Sequence, residues 1–382
     1  MTDPYYVMLT GAKNNAGDFL IAERAKNLLR ALRPDRAIVA SHRWEPIDAK
    51  RLEIVNGASA LLLSGGPALQ PAMYPDVYPL VEELSDIKVP IIGFGIGWNS
   101  RYGGWRDAAT YSFTERTRQL LSRMEKQAFA SSLRDYHSAL CGERNGFANF
   151  RVTGCPALFA GTLPPARAAP FDPGSVRRIG FSLGVEYTRS RQFAAQTKVL
   201  VACCRRWFPR AELVVAFHHG TDKSYLASPG SRAGFWRRQR RFLEWLDASG
   251  IDHIDISGSF ERLAAFYETV DLHVGYRVHA HIFMLSASRP SILIAEDGRG
   301  LALREVVGGA ILNGYWTRAH SPVIRAMQRG GIDMSYRMNE GIADELGALM
   351  QDGARMLRHA ETSRALIASH LGVIRQTVVS WP

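Results

Sequence analysis

Short apolar runs alternate with stretches in which apolar residues recur every three or four positions, beginning at Tyr6 and continuing to Ala295. Tyr6–Thr10, Ala37–Ala40, Ala60–Leu63, Ile91–Phe94, Ala128–Ser131 and Phe150–Thr153 read as strands, because such short runs set off by Gly, Pro, Asn or Ser suit a buried strand. Amphipathic stretches lie between most of them. Phe19, Ala22, Ala25, Lys26 and Leu29 keep helical spacing after Asp18, whose carboxylate is expected to cap the first free N–H groups. Strand, helix, strand in repetition is the signature of βαβ units and a mostly parallel sheet.

Thr162–Ser175 (TLPPARAAPFDPGS) has no apolar period and is rich in Pro and Ala, so the boundary between two domains is expected there. The alternation then restarts. Strands are expected at Ile179–Leu183, Leu213–Phe217, His253–Ile256, Leu272–Gly275 and Ser291–Ala295, with helices at Arg191–Trp207, Phe235–Ser249, Phe260–Thr269 and Val278–Ala287. The expected architecture is α/β: two doubly wound, Rossmann-like domains, residues 1–163 and 175–330, facing across a cleft in a GT-B-like layout. Residues 331–382 are expected to form a C-terminal helical segment.

Composition narrows this little. At 46% apolar and 22% charged the chain is globular, with no apolar run long enough to span a bilayer. The N-terminal MTDPYYVMLTGAKNN lacks the features of a signal peptide, so a cytoplasmic location is expected. Cys141, Cys155, Cys203 and Cys204 form neither a disulfide framework nor a metal-ligand spacing and read as structural thiols. A formal charge of +11 suits an anionic partner, but the basic residues are scattered, and nothing in them selects nucleic acid.

In open α/β sheets, ligands collect beyond the C-terminal ends of the strands. Three loops of the first half meet that description. GAKNNAGDFLI (Gly11–Ile21) offers Asn15 and Asp18, SGG offers Ser64, Gly65 and Gly66, and IIGFGIGWN offers Gly95 and Asn99. None is a GxGxxG or P-loop motif, and each alone reads equally well as an ordinary β–α turn. In the second half, LVVAF ends in HHGTD, with His218, His219 and Asp222, and DLHVG ends in YRVHAH, with Arg277 and His279. The Arg fork suits carboxylate or phosphate, and the imidazole exchanges a proton near neutrality. His279 and His281 diverge on a helix and do not form a chelating pair.

Taken in order, GAKNNAGDFLI, LSGGP, PIIGFGIG, SSLRDYHSAL followed by VTGCPAL, and DLHVGYRVHAH resemble the polysaccharide pyruvyl transferase family over roughly Val7–Arg299. The resemblance implies transfer of a pyruvyl group from phosphoenolpyruvate to two hydroxyls of a saccharide, with no metal or other cofactor. It implies the acceptor on the first domain and the donor on the second. It implies Arg277 as a ligand of the donor's carboxylate or phosphate and His279 as the proton-transfer residue, most simply the acid, with His218 or His219 as alternatives. Arg134, of the matching S-x-R-D run, joins the substrate-binding set, and Arg189 and Arg299 are weaker clamps. The chain departs from the family in Ser288-Arg289-Pro290 and in EDGRG, where Arg299 stands in for a common Lys.

Two other readings share the expected fold: a glycosyltransferase using a nucleotide sugar, with Glu296 or Asp297 on the ribose, and a noncatalytic glycan-binding member. A last expectation concerns Ser231–Leu246, where Arg237, Arg238, Arg240 and Arg241 crowd with Phe235, Trp236, Phe242 and Trp245. It reads either as a solvated helix with its aromatic face in the core, or as a peripheral contact with an anionic membrane carrying a lipid-linked acceptor. Oligomeric state is not legible.

Overall fold

The computed structural model describes residues 4–222, 233–318, 323, 327 and 336–382. Two six-stranded parallel sheets carry the fold. The first contains β1 (Tyr5–Thr10), β2 (Ala37–His42), β3 (Ala60–Ser64), β4 (Ile91–Ile96), β5 (Ser131–Leu133) and β6 (Phe150–Val152), in the order β2-β1-β3-β4-β5-β6. The second contains β7 (Arg178–Ser182), β8 (Glu212–Phe217), β9 (Asp252–Asp255), β10 (Leu272–Gly275), β11 (Ser291–Ala295) and β12 (Ala310–Asn313), in the order β12-β11-β10-β7-β8-β9. A small antiparallel pair, β13 (Tyr315–Thr317) and β14 (Tyr336–Met338), follows. Strands β3, β4, β10 and β11 are buried along their whole length, as parallel strands covered on both faces must be.

Strand order reverses direction between β1 and β3 in the first sheet and between β7 and β10 in the second. At such switch points the flanking connections run to opposite faces of the sheet, leaving a crevice at the strands' C-terminal ends. Helix α1 (Ala16–Leu32) springs from the first switch point and α9 (Val278–Ser286) from the second. Between them the chain forms α2 (Ala49–Asn56), α3 (Trp105–Ala109), α4 (Glu115–Glu125), α5 (Tyr136–Glu143), α6 (Arg191–Trp207), α7 (Ala233–Ala248) and α8 (Phe260–Tyr267). Helices α10 (Gly298–Val307), α11 (Ile342–Gln351) and α12 (Gly353–Val379) complete the chain.

The two crevices face each other, giving the GT-B-like layout. Main-chain bonds cross between the halves: Ala16 N–H donates to the His218 carbonyl at 3.0 Å, Gly258 N–H to Asn14 at 2.8 Å, and Gly298 N–H to Ser100 at 3.1 Å. One apolar cluster runs through both, from Met8 and Leu20 to Ala216 and Phe283. Helix α12 packs on β5, β6 and α1 as well as on α9 and α10, so the C-terminal segment spans both sheets. Its end is tied to the first sheet: Trp381 Nε1–H donates to Ala130 O at 2.9 Å and the Tyr6 hydroxyl to Pro382 O at 2.7 Å.

Several expectations shift. The cap of α1 is Asn15, whose side chain accepts from Gly17 N–H at 3.3 Å, while Asp18 sits in the first turn. Strand β5 begins where the expected Ala128–Ser131 ends, at Ser131. Helix α7 turns Phe242 and Leu246 into the core and leaves Arg237, Arg238, Arg240 and Arg241 exposed, while Ser231 and Arg232 lie outside the described residues. All four cysteines are buried and free. Among the described residues no helix is long and apolar enough to cross a membrane.

Candidate active site

Arg277 is the residue that joins the two crevices. It follows β10 and caps α9, and its backbone N–H donates to Ser182 Oγ at 3.0 Å while its Nη2 reaches across to Asn15 Oδ1 at 2.9 Å. Asn15 therefore serves both as the cap of α1 and as a guide for the guanidinium. Behind Arg277 runs a buried chain of hydrogen bonds: Ser182 Oγ to His273 Nε2 (2.8 Å), His273 Nδ1 to Ser291 Oγ (2.7 Å), and Ser291 Oγ to His281 Nδ1 (2.6 Å). Burial drives the His273 and His281 pKa values down, that of His281 to about 3, so both rings are neutral links that fix the backbone at the start of α9.

His279 is the second residue of α9, packed so closely on α1 that a methyl group at Gly17 would collide with its ring. Its Nε2 is shielded from solvent and has no hydrogen-bond partner among the described residues. Burial, and then the charges of Arg134, Arg299 and Arg277, lower its pKa to about 3. The imidazole is thus neutral in the unliganded protein, held so first by burial and then by a cationic field that an anionic ligand would offset.

The remaining expected residues divide into groups. Arg299 is held by Asp297, with Nε to Oδ2 at 2.9 Å and Nη2 to Oδ2 at 2.5 Å, at the start of α10. Asp18 faces Arg43, Arg277 and Arg299; burial raises its pKa against their pull. Ser64 is buried with an unpartnered hydroxyl, and Gly65 and Gly66 continue the loop at positive φ (62° and 74°), which only glycine adopts cheaply. His219 has a pKa pushed down by burial and by Arg277, Arg299 and Arg189, and its carbonyl accepts from Asn14 Nδ2 at 2.6 Å.

Others are engaged in internal contacts or stand at the surface. Gly95 is a packing residue: its N–H is taken by Ser132 Oγ at 3.0 Å, and Pro156 fills the space where a side chain would be. Arg134 is buried and engaged by Asp135 (2.9 Å) and the Trp98 carbonyl (2.9 Å), so it acts on His279 through its charge rather than as a free fork. His218 bonds Tyr267 through Nε2 at 2.7 Å and is nearly inaccessible. Arg189 donates to Glu186 at 3.1 Å, and Asp222 is exposed at the end of the β8 loop.

Two participants were not anticipated. Glu186, fully buried, gathers Arg101 (2.8 Å), the Tyr102 hydroxyl (2.8 Å) and Arg189, and so locks the β4 loop of the first half onto the second. Arg43, just beyond β2, lays its guanidinium between Gly11 and Gly66, where a Cβ on Gly11 would lie 2.7 Å from Cζ and one on Gly66 3.2 Å from Nη1. Among the described residues, no cluster of three or more His, Cys, Asp or Glu side chains is disposed to hold a metal ion.

Comparison with known proteins adds a family. A family model described as polysaccharide pyruvyl transferase matches residues 15–298, which include Asn15, Arg277 and His279. No curated protein matches the sequence significantly. Similar solved structures include the wall teichoic acid polymerase TagF (12% identity, 99% of this chain and 88% of that one, TM-score 0.44). WaaG, a glycosyltransferase involved in lipopolysaccharide biosynthesis, gives 11% identity over 98% and 100% of the two chains with a TM-score of 0.43. A trehalose-phosphate synthase from Burkholderia xenovorans gives 14% identity over 76% and 67%, with a TM-score of 0.40.

Proposed function

The chain belongs to the polysaccharide pyruvyl transferase family, and from that premise we propose that it transfers a pyruvyl group from phosphoenolpyruvate to two hydroxyls of a saccharide, forming a cyclic ketal and releasing phosphate. The observation that carries the reading is the juxtaposition of Arg277 and His279. A two-pronged cation guided from the opposite domain stands beside an imidazole whose Nε2 has no internal partner.

The chemistry needs both. Protonation of the donor's methylene carbon leaves positive character at the adjacent carbon, which one sugar hydroxyl attacks. Loss of phosphate regenerates an oxocarbenium ion, and the second hydroxyl closes the ring. One hydroxyl proton balances that delivered to the methyl group and the other leaves with phosphate. Arg277 and Arg299 clamp the donor's carboxylate and phosphate; as they do so, the share of the His279 depression that their charges cause is offset and its pKa rises, burial still opposing. The ring then acts as the acid, drawing its proton from solvent on donor binding. Asp18, beside Arg277 on the first domain, is positioned as the base for the hydroxyl.

A nucleotide-sugar reading requires a carboxylate available to the ribose. Glu296 is occupied by the N–H groups of Val185 and Glu186, each at 3.0 Å, and Asp297 by Arg299, which favours pyruvyl transfer. Incubation with phosphoenolpyruvate and a panel of glycosides, followed by mass spectrometry, tests the proposal. A 70 Da adduct with stoichiometric phosphate release is the expected product, since pyruvate condenses with a diol with loss of water; glycosyl transfer from a nucleotide sugar instead would overturn it.

A further inference from the structure

The strand-end loops of the first domain hold a second polar constellation that the donor clamp does not use. Ser64 is 3% exposed, and its hydroxyl has no hydrogen-bond partner among the described residues. A buried hydroxyl left unpaired gives up its hydration without recovering a bond, so its place at the strand end needs a reason. Ser64, Gly65, Gly66, Asp18 and Arg43 line a narrow recess that is closed up in the unliganded protein, and the Arg43 charge acts on both Asp18 and Tyr78.

This recess shares Thr10 and Ala22 with a larger groove of about 450 Å³ that runs between α1, the end of β2 and the start of α8. The groove is within the size range of ligand pockets, the recess below it. Glu23, Glu45 and Glu261 outnumber Lys26 along its walls, which repels a polyanionic chain despite the protein's overall positive charge. At its rim the exposed His42 stacks on Trp44, with ring centroids 4.5 Å apart and planes within 14°, and Lys13 Nζ lies 5.5 Å from the Trp44 ring centre, so Trp44 backs the imidazole, whose outer face is a flat surface suited to the C–H face of a sugar ring.

We propose that this recess and groove form the acceptor site, and that they take a neutral, hydroxyl-rich saccharide. The reacting sugar points hydroxyls at Ser64, Arg43 and Asp18, and the chain beyond it lies along the groove past His42. The carboxylate accepts, the guanidinium donates and the serine does either, a set that pairs a diol without residual charge. The assignment rests on the pyruvyl-transfer reading for the identity of the second substrate, but its ligand class follows from the recess.

The test compares wild type with Arg43→Gln, Ser64→Ala and Trp44→Ala. The probes are neutral gluco-, galacto- and manno-configured tetrasaccharides, with tetragalacturonate as the anionic counterpart and phosphoenolpyruvate titrated in parallel. Unchanged thermal melting establishes folding of each variant. At least one neutral tetrasaccharide is expected to bind, with affinity falling about tenfold or more in Arg43→Gln, since the hydrogen bond lost is charge-assisted, and less in the other two. Phosphoenolpyruvate affinity should change less than about twofold. Saccharide binding indifferent to all three substitutions, preference for tetragalacturonate, no binding of any neutral probe, or a parallel loss of phosphoenolpyruvate affinity would overturn the assignment. Arg43-dependent saccharide binding in a protein that ignores phosphoenolpyruvate would instead sink the donor reading and leave this one standing.

Discussion

The two switch points use the same backbone device and finish it differently. At the second, every charged group is braced from behind: Arg299 by Asp297, Arg277 by Asn15 across the cleft, and its backbone by the Ser182–His273–Ser291–His281 chain. At the first, glycines and small residues dominate, and the Ser64 hydroxyl has no partner among the described residues. The difference teaches what each half is built to meet. A multiply charged donor rewards cations fixed before it arrives, because reorientation would consume the binding energy. A neutral polyol rewards hydroxyls and a carboxylate whose pairing is completed by the ligand.

The hardest way to break this contrast is at the clamp. Arg277→Lys keeps the charge and loses the fork, and His279→Ala removes the proton carrier; each should lower turnover by roughly two to four orders of magnitude with the fold intact. Either variant retaining near wild-type kcat with an unchanged pH profile would move the chemistry elsewhere. Next comes the bracing. Ser291→Ala breaks the link between His273 and His281 and should weaken phosphoenolpyruvate about tenfold while leaving saccharide affinity alone, with Ser291→Thr restoring it. Equal losses for both substrates would show a merely structural serine.

A subtler effect follows from the field on His279. Its pKa lies near 3 in the free protein, below the ordinary value, and a bound trianion raises it. Donor binding should therefore be accompanied by proton uptake, and affinity should strengthen as pH falls toward the raised value. Calorimetry in buffers of different ionisation heat measures this. His279→Gln should abolish most of the uptake, with any remainder assignable to Glu296, whose pKa burial and the neighbouring Asp297 and Glu186 raise to about 7. Uptake unaffected by the substitution would break the link between clamp and acid. The smallest effect is expected from Arg237, Arg240 and Arg241 changed together to Gln. With Phe242 and Leu246 in the core, α7 offers no apolar face, and co-sedimentation with anionic vesicles should be negligible before and after. Salt-sensitive binding lost in the variant would restore the peripheral-membrane reading.

Much of this was legible in the sequence for an identifiable reason. Buried parallel strands leave continuous apolar runs ending in glycine, so β3, β4, β10 and β11 and the loops after them could be placed, and with them Ser64–Gly66, Arg277 and His279. The short β5 was misplaced because it pairs with β4 through a register shift between Phe94 and Ile96, and its Ser132 bonds a backbone N–H inside the core, which an apolar pattern does not register. Strand β12, following Gly308 and Gly309, is only four residues long and reads as part of a turn. Asn15 and Asp18 both suit a helix cap, and only the position of Gly17 N–H and Arg277 decides between them. Arg43 belongs to no motif; it enters the site because β2 lies beside β1 and delivers it onto Gly11 and Gly66. Glu186 and the His273–Ser291–His281 chain are likewise joined by strand pairing rather than by spacing.

The central claim, that the second switch point is an enolpyruvyl-phosphate clamp, is tested most directly by titrating purified protein with phosphoenolpyruvate and, separately, with UDP. The account predicts saturable binding of phosphoenolpyruvate, lost in Arg277→Lys, and no binding of UDP at the same concentrations. Binding of UDP with indifference to phosphoenolpyruvate would contradict it.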